Sequence, residues 1–202
     1  MTPFIVKQFR HPEGFAGRIA GWIMAHRRSN LRRNLWTAEL LELKFSDSVL
    51  EIGPGPGETL HHILTKVTHG QVSAIDYSEL MLEASRRRNK TALAQGRLKL
   101  IAADISRLTT LPERYDKIFA VNSLQFNGLN HHTLHLLCNH LKPSGTLAIT
   151  YQPRGAKVST DKAQDTAAEL KAMLHDIGLE NIATHTLALK SSPAICVVGK
   201  WQ

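Results

Sequence analysis

The chain has 202 residues, of which 43% are hydrophobic and 21% are charged, and its formal net charge is +8. This composition is typical of one globular domain and excludes disordered and fibrous proteins, while no apolar run approaches the roughly 20 residues of a membrane span. The two cysteines, Cys138 and Cys196, are too few for a disulfide framework and lie outside metal-ligand spacings, so we expect a cytoplasmic protein without a metal site.

Residues 1–46 form a predicted N-terminal extension that carries much of the positive charge. Eight lysines and arginines stand against three acids there, which leaves +5 of the total +8. We predict a basic helical extension in which Trp22, Met24 and Trp36 form an apolar lid over the main domain, residues 47–202. Such a basic arm fits an anionic partner, namely a nucleic acid, a membrane surface or an acidic substrate, and the alternative is a solvated helix face.

The main domain alternates short apolar strands with helical stretches. Strands are predicted at 48–53, 71–76, 98–104, 115–123 and 145–151, and helices at 58–68, 78–90, 130–141 and 161–177. Because several strands are apolar on both faces and the connections have crossover length, the pattern predicts an α/β fold with a doubly wound, mostly parallel sheet. The closing strands at 182–189 and 194–201 are separated by a turn too short for a crossover, so we expect the seven-stranded sheet to end in an antiparallel hairpin.

The strongest motif is VLEIGPGPGET at 49–59, where a buried strand runs into three glycines and a helix opens. Gly53, Gly55 and Gly57 allow a sharp turn and let a ligand approach bare backbone, at the place where open α/β sheets bind ligands. The alternative is a tight turn without a ligand. The spacing departs from the dinucleotide fingerprint because Glu58 stands where the third glycine is expected, and no G-x-x-x-x-G-K-[ST] loop is present.

Acidic residues lie at or near the ends of three consecutive predicted strands. Glu51 comes just before the glycines, where a carboxylate suits a cationic ligand better than a pyrophosphate. Asp76 ends the second strand, where a carboxylate can accept hydrogen bonds from two ribose hydroxyls. Asp104 ends the third strand, within reach of an exocyclic amine. Together the three acids predict a site for a nucleoside that carries positive charge.

These residues and the motifs around them resemble the class I S-adenosylmethionine-dependent methyltransferases. The matching segments, in chain order, are VLEIGPGPGET, AIDYSELML, AADIS, YDKIFAVNSLQF and LKPSGTLAITY. The resemblance covers about residues 45–202, including the terminal hairpin. It implies a Rossmann-like methyltransferase fold, S-adenosyl-L-methionine as the cofactor and methyl transfer as the activity.

The resemblance also implies roles for individual residues around the methionine part of the cofactor. Gly53, Gly55 and Gly57 would line this part, and Glu51 would support its ammonium group. Asn122, which leaves the fourth strand, would lie beside the methionine moiety and the departing methyl group.

A second group of residues is implied around the adenosine part. Asp76 would hold the ribose hydroxyls, and Tyr77 and Met81 would pack against the adenine. Asp104 and the backbone of Ile105 would read the adenine edge.

The methyl acceptor is less constrained than the cofactor. The ribosomal RNA adenine dimethylases have a similar glycine motif, but they carry Asn-x-Pro-Tyr after the fourth strand, where this chain has NSLQF at 122–126. We therefore expect a small-molecule acceptor of anionic or amphipathic character that reacts through nitrogen, oxygen or carbon. An RNA methyltransferase is the second alternative, and a phospholipid headgroup methyltransferase at the membrane surface is the third.

A general base is required only for hydroxyl or carbon acceptors, because the sulfonium is already activated and alignment supplies much of the rate. His26 in the extension and Tyr151 at the end of the fifth strand are the candidate catalytic side chains, together with Asn122. A nicotinamide-dependent oxidoreductase and a non-catalytic nucleoside-binding module are alternatives from other classes. Against the oxidoreductase, no tyrosine is followed four residues later by lysine.

Overall fold

The computed structural model describes residues 28–124, 129–153, 160–190 and 192–202. Trp22, Met24 and His26 of the predicted lid lie outside the described residues, so their predicted roles are untested. Among the described helices, none combines the length and the hydropathy of a membrane-spanning segment.

Strands and helices alternate along the described chain as the sequence predicts. The strands are β1 Ser48–Ile52, β2 Gln71–Asp76, β3 Leu98–Ala102, β4 Tyr115–Val121, β5 Leu141–Tyr151, β6 Glu180–Leu187 and β7 Ala194–Lys200. The helices are α1 Arg28–Leu40, α2 Glu58–Lys66, α3 Glu79–Arg88, α4 Lys90–Ala94, α5 His131–Asn139 and α6 Thr160–Ile177, with a short 3₁₀ turn at Ile105–Arg107.

The strands form one seven-stranded sheet in the order β3-β2-β1-β4-β5-β7-β6. Strands β1 to β5 are mutually parallel, whereas β7 runs antiparallel to both β5 and β6. The predicted doubly wound, mostly parallel sheet with a terminal antiparallel hairpin is therefore confirmed. Its carboxyl edge, the edge at which β1 to β5 end, collects the residues that follow each parallel strand.

Two predicted elements differ most from the structure, because specific contacts override the local sequence pattern. The helix predicted at 78–90 is divided at Asn89, whose side-chain Nδ2 donates to the carbonyl of Ser85 and holds the end of α3. Strand β5 begins at Leu141 instead of 145, because Leu141 pairs with Tyr115 of β4 across a register shift. Neither interaction follows from local hydrophobic periodicity.

Both faces of the central strands β1 and β4 are buried, as a parallel sheet covered by helices requires. In β1, Leu50 and Ile52 belong to one hydrophobic cluster while Val49 belongs to the other. In β4, Ile118 and Phe119 divide between the two clusters in the same way. The strands that carry the glycine loop are thus held rigidly from both sides.

Helix α1 is the described part of the predicted extension, and it packs on α2, β5 and β7. Arg33 Nη1 donates to Gln152 Oε1 at 2.8 Å, and the hydroxyls of Thr37 and Thr150 are 2.7 Å apart. Trp36 is partly buried against the core. This end of the extension is therefore docked on the main body, while the proposed division at residue 46 stays a prediction.

Candidate functional site

The glycine loop joins β1 to α2 in a left-handed conformation at all three glycines. The φ angles of Gly53, Gly55 and Gly57 are 70°, 55° and 74°. A Cβ on Gly53 would lie 2.4 Å from Ser123 Cβ, and one on Gly57 would lie 2.3 Å from Ser85 Oγ. A Cβ on Gly55 would meet no atom within 4 Å. The loop is thus tightly packed at its two ends and presents bare backbone to open space at its centre.

Glu51 lies near the carboxyl end of β1, two residues before Gly53, the first glycine of the loop. Its side chain is only 2% exposed, and Oε2 is buried without a hydrogen-bond partner among the described residues. Burial, together with the negative charge of Asp76, raises the pKa of Glu51 to about 8, although hydrogen bonding by the Thr59 side chain opposes the increase. A buried carboxyl oxygen without a partner is energetically costly and is therefore suited to receive a cationic group.

Asp76 connects the end of β2 to the centre of the glycine loop. Its Oδ2 accepts a hydrogen bond from the Gly55 N–H at 3.1 Å, and its Oδ1 accepts one from the Ser78 N–H at 2.9 Å. Burial raises the pKa of Asp76 above its ordinary value, although these backbone hydrogen bonds favour the ionised form. The structure therefore places Glu51 and Asp76 in one buried acidic site beside the loop.

Tyr77 and Met81, which follow Asp76 in the chain, differ in their exposure to solvent. The Tyr77 residue is 42% exposed, and burial of its hydroxyl near the charges of Asp76 and Asp104 raises its pKa to about 12. Met81 is buried in the first turn of α3, which Ser78 caps by accepting a hydrogen bond from the Met81 N–H. Tyr77 is thus the more accessible of the two predicted adenine contacts.

Asp104 follows β3 and caps the 3₁₀ turn that begins at Ile105. Its Oδ1 accepts hydrogen bonds from the Ser106 N–H at 3.0 Å and from the Ser106 hydroxyl at 2.7 Å. Ile105 is partly buried and packs against the core. The capping hydrogen bonds fix the direction of the chain at the carboxyl edge, next to Tyr77.

Asn122 follows β4 with a left-handed backbone (φ 52°) and uses its side chain to tie two strands together. Its Oδ1 accepts from the Gln152 N–H at 2.7 Å, and its Nδ2 donates to the Gln152 carbonyl at 3.4 Å. The amide is therefore engaged by the backbone that follows β5. Tyr151, the last residue of β5, is partly buried at the same edge. Catalytic roles for both residues stay predictions.

Replacing Asn122 with alanine is expected to lower the free energy of unfolding by about 1–3 kcal/mol, because the buried Gln152 N–H would lose its acceptor. Urea denaturation followed by circular dichroism measures the change. Ser144→Ala is a control for backbone strain, since Ser144 also has a positive φ (63°) but is exposed. Equal stability losses in the two variants would contradict this structural role for the Asn122 amide.

The sequence analysis missed a polar network at the carboxyl ends of β4 and β5. Arg33 is 3% exposed and donates to Gln152, whose Nε2 donates to the Ser192 carbonyl at 3.0 Å. Asn34, the next residue of α1, donates from Nδ2 to Thr59 Oγ1 at 2.9 Å. These partners are far apart in the chain, so only the fold reveals the network.

The two cysteines are buried as free thiols. Burial raises the pKa of both the Cys138 and the Cys196 thiol to about 12, so each stays protonated in the core. Within the part of the chain that the structure describes, no group of three or more histidine, cysteine, aspartate or glutamate residues is arranged to hold a metal ion.

Comparisons with known proteins agree on one family. The family model described as "Methyltransferase domain" matches residues 49–145. An uncharacterized methyltransferase of Bacillus subtilis (strain 168), YdaC, is 32% identical over 182 residues, which are 90% of this chain and 97% of that protein. The trans-aconitate 2-methyltransferase of Paracidovorax citrulli (strain AAC00-1) is 28% identical over 128 residues, which are 63% of this chain and 47% of that protein.

A solved structure shows the same fold at low sequence identity. Phosphoethanolamine N-methyltransferase 2 of Haemonchus contortus, in complex with S-adenosyl-L-methionine, superposes with a TM-score of 0.75 at 14% identity. The superposition covers 100% of this chain and 60% of that chain.

Proposed function

The chain belongs to the class I S-adenosylmethionine-dependent methyltransferases, and we propose that it methylates a small-molecule acceptor of anionic character. Binding of S-adenosyl-L-methionine is supported by one observation above all: Oε2 of the buried Glu51 has no hydrogen-bond partner among the described residues, and the backbone at Gly55 faces open space. The methionine part of S-adenosyl-L-methionine carries an ammonium group, which would provide the partner that this carboxyl lacks.

We assign the remaining cofactor contacts from the same arrangement. Asp76 would receive the ribose hydroxyls, because its position at the end of β2 leaves carboxylate lone pairs beyond those used by Gly55 and Ser78. The accessible Tyr77 ring would cover one face of the adenine, and Asp104 would accept from its amine. Met81 and the Ile105 backbone complete the predicted adenine contacts, and Gly53 and Gly57 shape the loop.

S-adenosyl-L-methionine, held by Glu51, Asp76 and the glycine loop, would supply an electrophilic methyl group to an acceptor lone pair, with the cofactor's sulfur as the leaving group. The protein's part is to align the acceptor and exclude water. A neutral amine or hydroxyl acceptor also loses a proton, for which Tyr151 and His26 are our proposed bases and Asn122 the proposed neighbour of the transferring group.

An anionic acceptor is favoured by the charge at the carboxyl ends of β4 and β5. Arg33 places a buried guanidinium there, hydrogen-bonded to the neutral amide of Gln152. The excess of positive charge over the whole chain adds long-range attraction for anions. One relative carries an organic acid in its name, trans-aconitate, which supports testing small carboxylic acids first.

Binding of the cofactor is the first test, because acceptor chemistry depends on it. We would titrate the protein calorimetrically with S-adenosylmethionine, S-adenosylhomocysteine and NAD, and expect binding of the two sulfur compounds alone. Transfer of a radiolabelled methyl group would then be measured with small carboxylic acids, amines, phenols, phosphoethanolamine and RNA. Transfer to RNA, or only to uncharged amines and phenols, would contradict the anionic small-molecule proposal.

Replacing Asp76 with alanine is expected to weaken S-adenosylhomocysteine binding by about 1–3 kcal/mol, or roughly 5- to 150-fold, because charge-assisted hydrogen bonds to the ribose would be lost. Isothermal calorimetry at pH 7 measures this change. Asp116→Ala is the matched control, since Asp116 begins the same sheet's β4 at the opposite edge and binds Lys142 there. Unchanged affinity in Asp76→Ala would contradict the ribose assignment.

A further inference from the structure

One turn of α1 is connected to the buried acid of the cofactor site through a threonine of α2. Asn34 Nδ2 donates to Thr59 Oγ1 at 2.9 Å, across 25 residues of chain. Thr59 is the second residue of α2 and is only 1% exposed. Its hydroxyl interacts with the Glu51 side chain and favours the ionised carboxylate.

The direction of these hydrogen bonds follows from the donors that each group has. The Asn34 amide N–H can only donate, so Thr59 Oγ1 accepts at that contact. A hydroxyl has a single proton, and Thr59 is then free to donate that proton to a carboxylate oxygen of Glu51. The other carboxyl oxygen, Oε2, is the buried atom without a partner. The Thr59 hydroxyl can therefore serve one oxygen of the Glu51 carboxyl, while Oε2 is left for another partner.

We propose that Asn34 and Thr59 are positioning residues of the cofactor site, which hold the Glu51 carboxylate so that Oε2 is presented to the ammonium group of the cofactor. This inference rests on the proposed function, because Oε2 needs that cofactor as its partner. It also gives α1 a role in cofactor affinity, in addition to its Arg33 contact with Gln152.

Cofactor binding is then coupled to release of a proton. In the free protein Glu51 has a pKa of about 8 and carries a proton at pH 7. An ammonium group at Oε2 favours the ionised form, so binding at pH 7 must expel that proton. Affinity is therefore expected to fall by up to about tenfold for each pH unit below 8 and to level off above it.

The charged groups around Glu51 also affect the pH-dependence of cofactor binding. Asp76 on β2 is the charge that raises the pKa of Glu51. Among the described side chains, the other ionisable groups are Arg32, Arg33 and Glu39 on α1 and Glu58, His61, His62 and Lys66 on α2. Asp76 itself has a raised pKa, so its titration adds to the pH-dependence with the same sign. The variants below isolate the contribution of Glu51.

The test is calorimetric titration with S-adenosylhomocysteine at pH values from 6 to 8, in phosphate and in Tris to count the protons released. For the wild type we expect release of about one proton at pH 7 and increasing affinity toward pH 8. Glu51→Gln should release fewer protons than the wild type, and its weaker binding should depend less on pH. Thr59→Val should bind about tenfold more weakly at pH 7, with the midpoint of the pH profile moved upward, because the bond that favours the carboxylate is lost.

Matched variants separate this role from a structural one. Asn34→Ala should move the midpoint in the same direction as Thr59→Val, and Thr59→Ser, which keeps the hydroxyl, should restore the wild-type profile. Thr65→Val on the same helix should have no effect, because the Thr65 hydroxyl is exposed and donates to the His62 carbonyl. A purely structural role would weaken binding equally at every pH and leave the midpoint unchanged, which would overturn the proposal.

Failure of the two proposals would look different. If the wild type binds no S-adenosylhomocysteine at any pH, the proposed function fails and this inference fails with it. If the wild type binds but releases no proton, or if Thr59→Val keeps the wild-type pH profile, the cofactor assignment stands and the positioning role is overturned. Melting temperatures of each variant, measured without ligand, show that the compared proteins are folded.

Discussion

Replacing Gly57 with alanine is expected to lower the free energy of unfolding by about 2–5 kcal/mol. The positive φ of 74° costs an L-residue about 1–2 kcal/mol, and a Cβ would lie 2.3 Å from Ser85 Oγ and 2.8 Å from Asn89 Nδ2. Both neighbours are buried, so relieving the overlap adds roughly 1–3 kcal/mol. Urea denaturation followed by circular dichroism measures the difference.

Two other glycines separate backbone strain from crowding and from ligand contact. Gly96 has a φ of 69° and open space around its Cβ position, so Gly96→Ala should cost about 1–2 kcal/mol. Gly55→Ala should cost a similar amount, since its φ is 55° and its Cβ would also meet nothing. The space beside Gly55 is the proposed cofactor space, however, so Gly55→Ala should weaken S-adenosylhomocysteine binding by about tenfold or more, whereas Gly96→Ala should leave it unchanged. Equal stability losses at all three glycines would contradict the packing argument.

The contacts around Gly57 help to fix the conformation of the loop. Asn89 Nδ2 donates to the Gly57 carbonyl at 3.0 Å, and Arg88 Nε donates to the Pro56 carbonyl at 3.1 Å. At the other end, the Gly53 N–H donates to the Ile75 carbonyl at 2.8 Å. Because both ends are fixed by neighbouring elements, the open centre at Gly55 is held ready for a ligand, and little ordering entropy remains to be lost on binding.

The fold could be predicted because its signals are local and periodic. Strands such as β1 and β4 bury both faces, and this composition distinguishes them from half-exposed strands within a few residues of chain. The terminal hairpin followed from the short turn alone. The errors arose where a long-range contact overrides local pattern: Asn89 ends α3 partly because its side chain reaches Gly57, and Leu141 joins β5 because Tyr115 pairs with it.

Residues of the candidate site could be predicted from the sequence only where the sheet topology fixes their position. Glu51 and Asp76 were found because the ends of neighbouring parallel strands must meet at one edge, and the structure places both acids there. Asn34, Thr59 and Arg33 were missed because nothing in their own segments distinguishes them from ordinary helix residues. Their importance comes from partners 25 and 119 residues away, Asn34 with Thr59 and Arg33 with Gln152.

Replacing Glu51 with glutamine is expected to make the free protein more stable than the wild type between pH 5 and 8, by about 4 kcal/mol at pH 8. The pKa of Glu51 is raised to about 8 in the folded state, so between pH 5 and 8 the folded protein holds a proton that the unfolded chain has lost. The wild type should therefore lose up to about 1.4 kcal/mol of stability for each pH unit in this range through Glu51, and Glu51→Gln should remove this slope. Free energies of unfolding from urea titrations at pH 5, 6, 7 and 8 measure both quantities.

Asp116→Asn is the control for this pH dependence, because the carboxylate of Asp116 is favoured by Lys142 and by the Ser48 N–H, and its pKa is lowered. The stability that Asp116 contributes is present above its unfolded pKa and is lost as the pH falls through the folded value, so its substitution should leave the slope between pH 5 and 8 intact. A wild type whose stability is flat over this range would contradict the state assigned to Glu51. Adding S-adenosylhomocysteine should stabilise the wild type at pH 8 more than it stabilises Glu51→Gln, because the buried carboxylate that weakens the free protein is the group that binds the cofactor's ammonium.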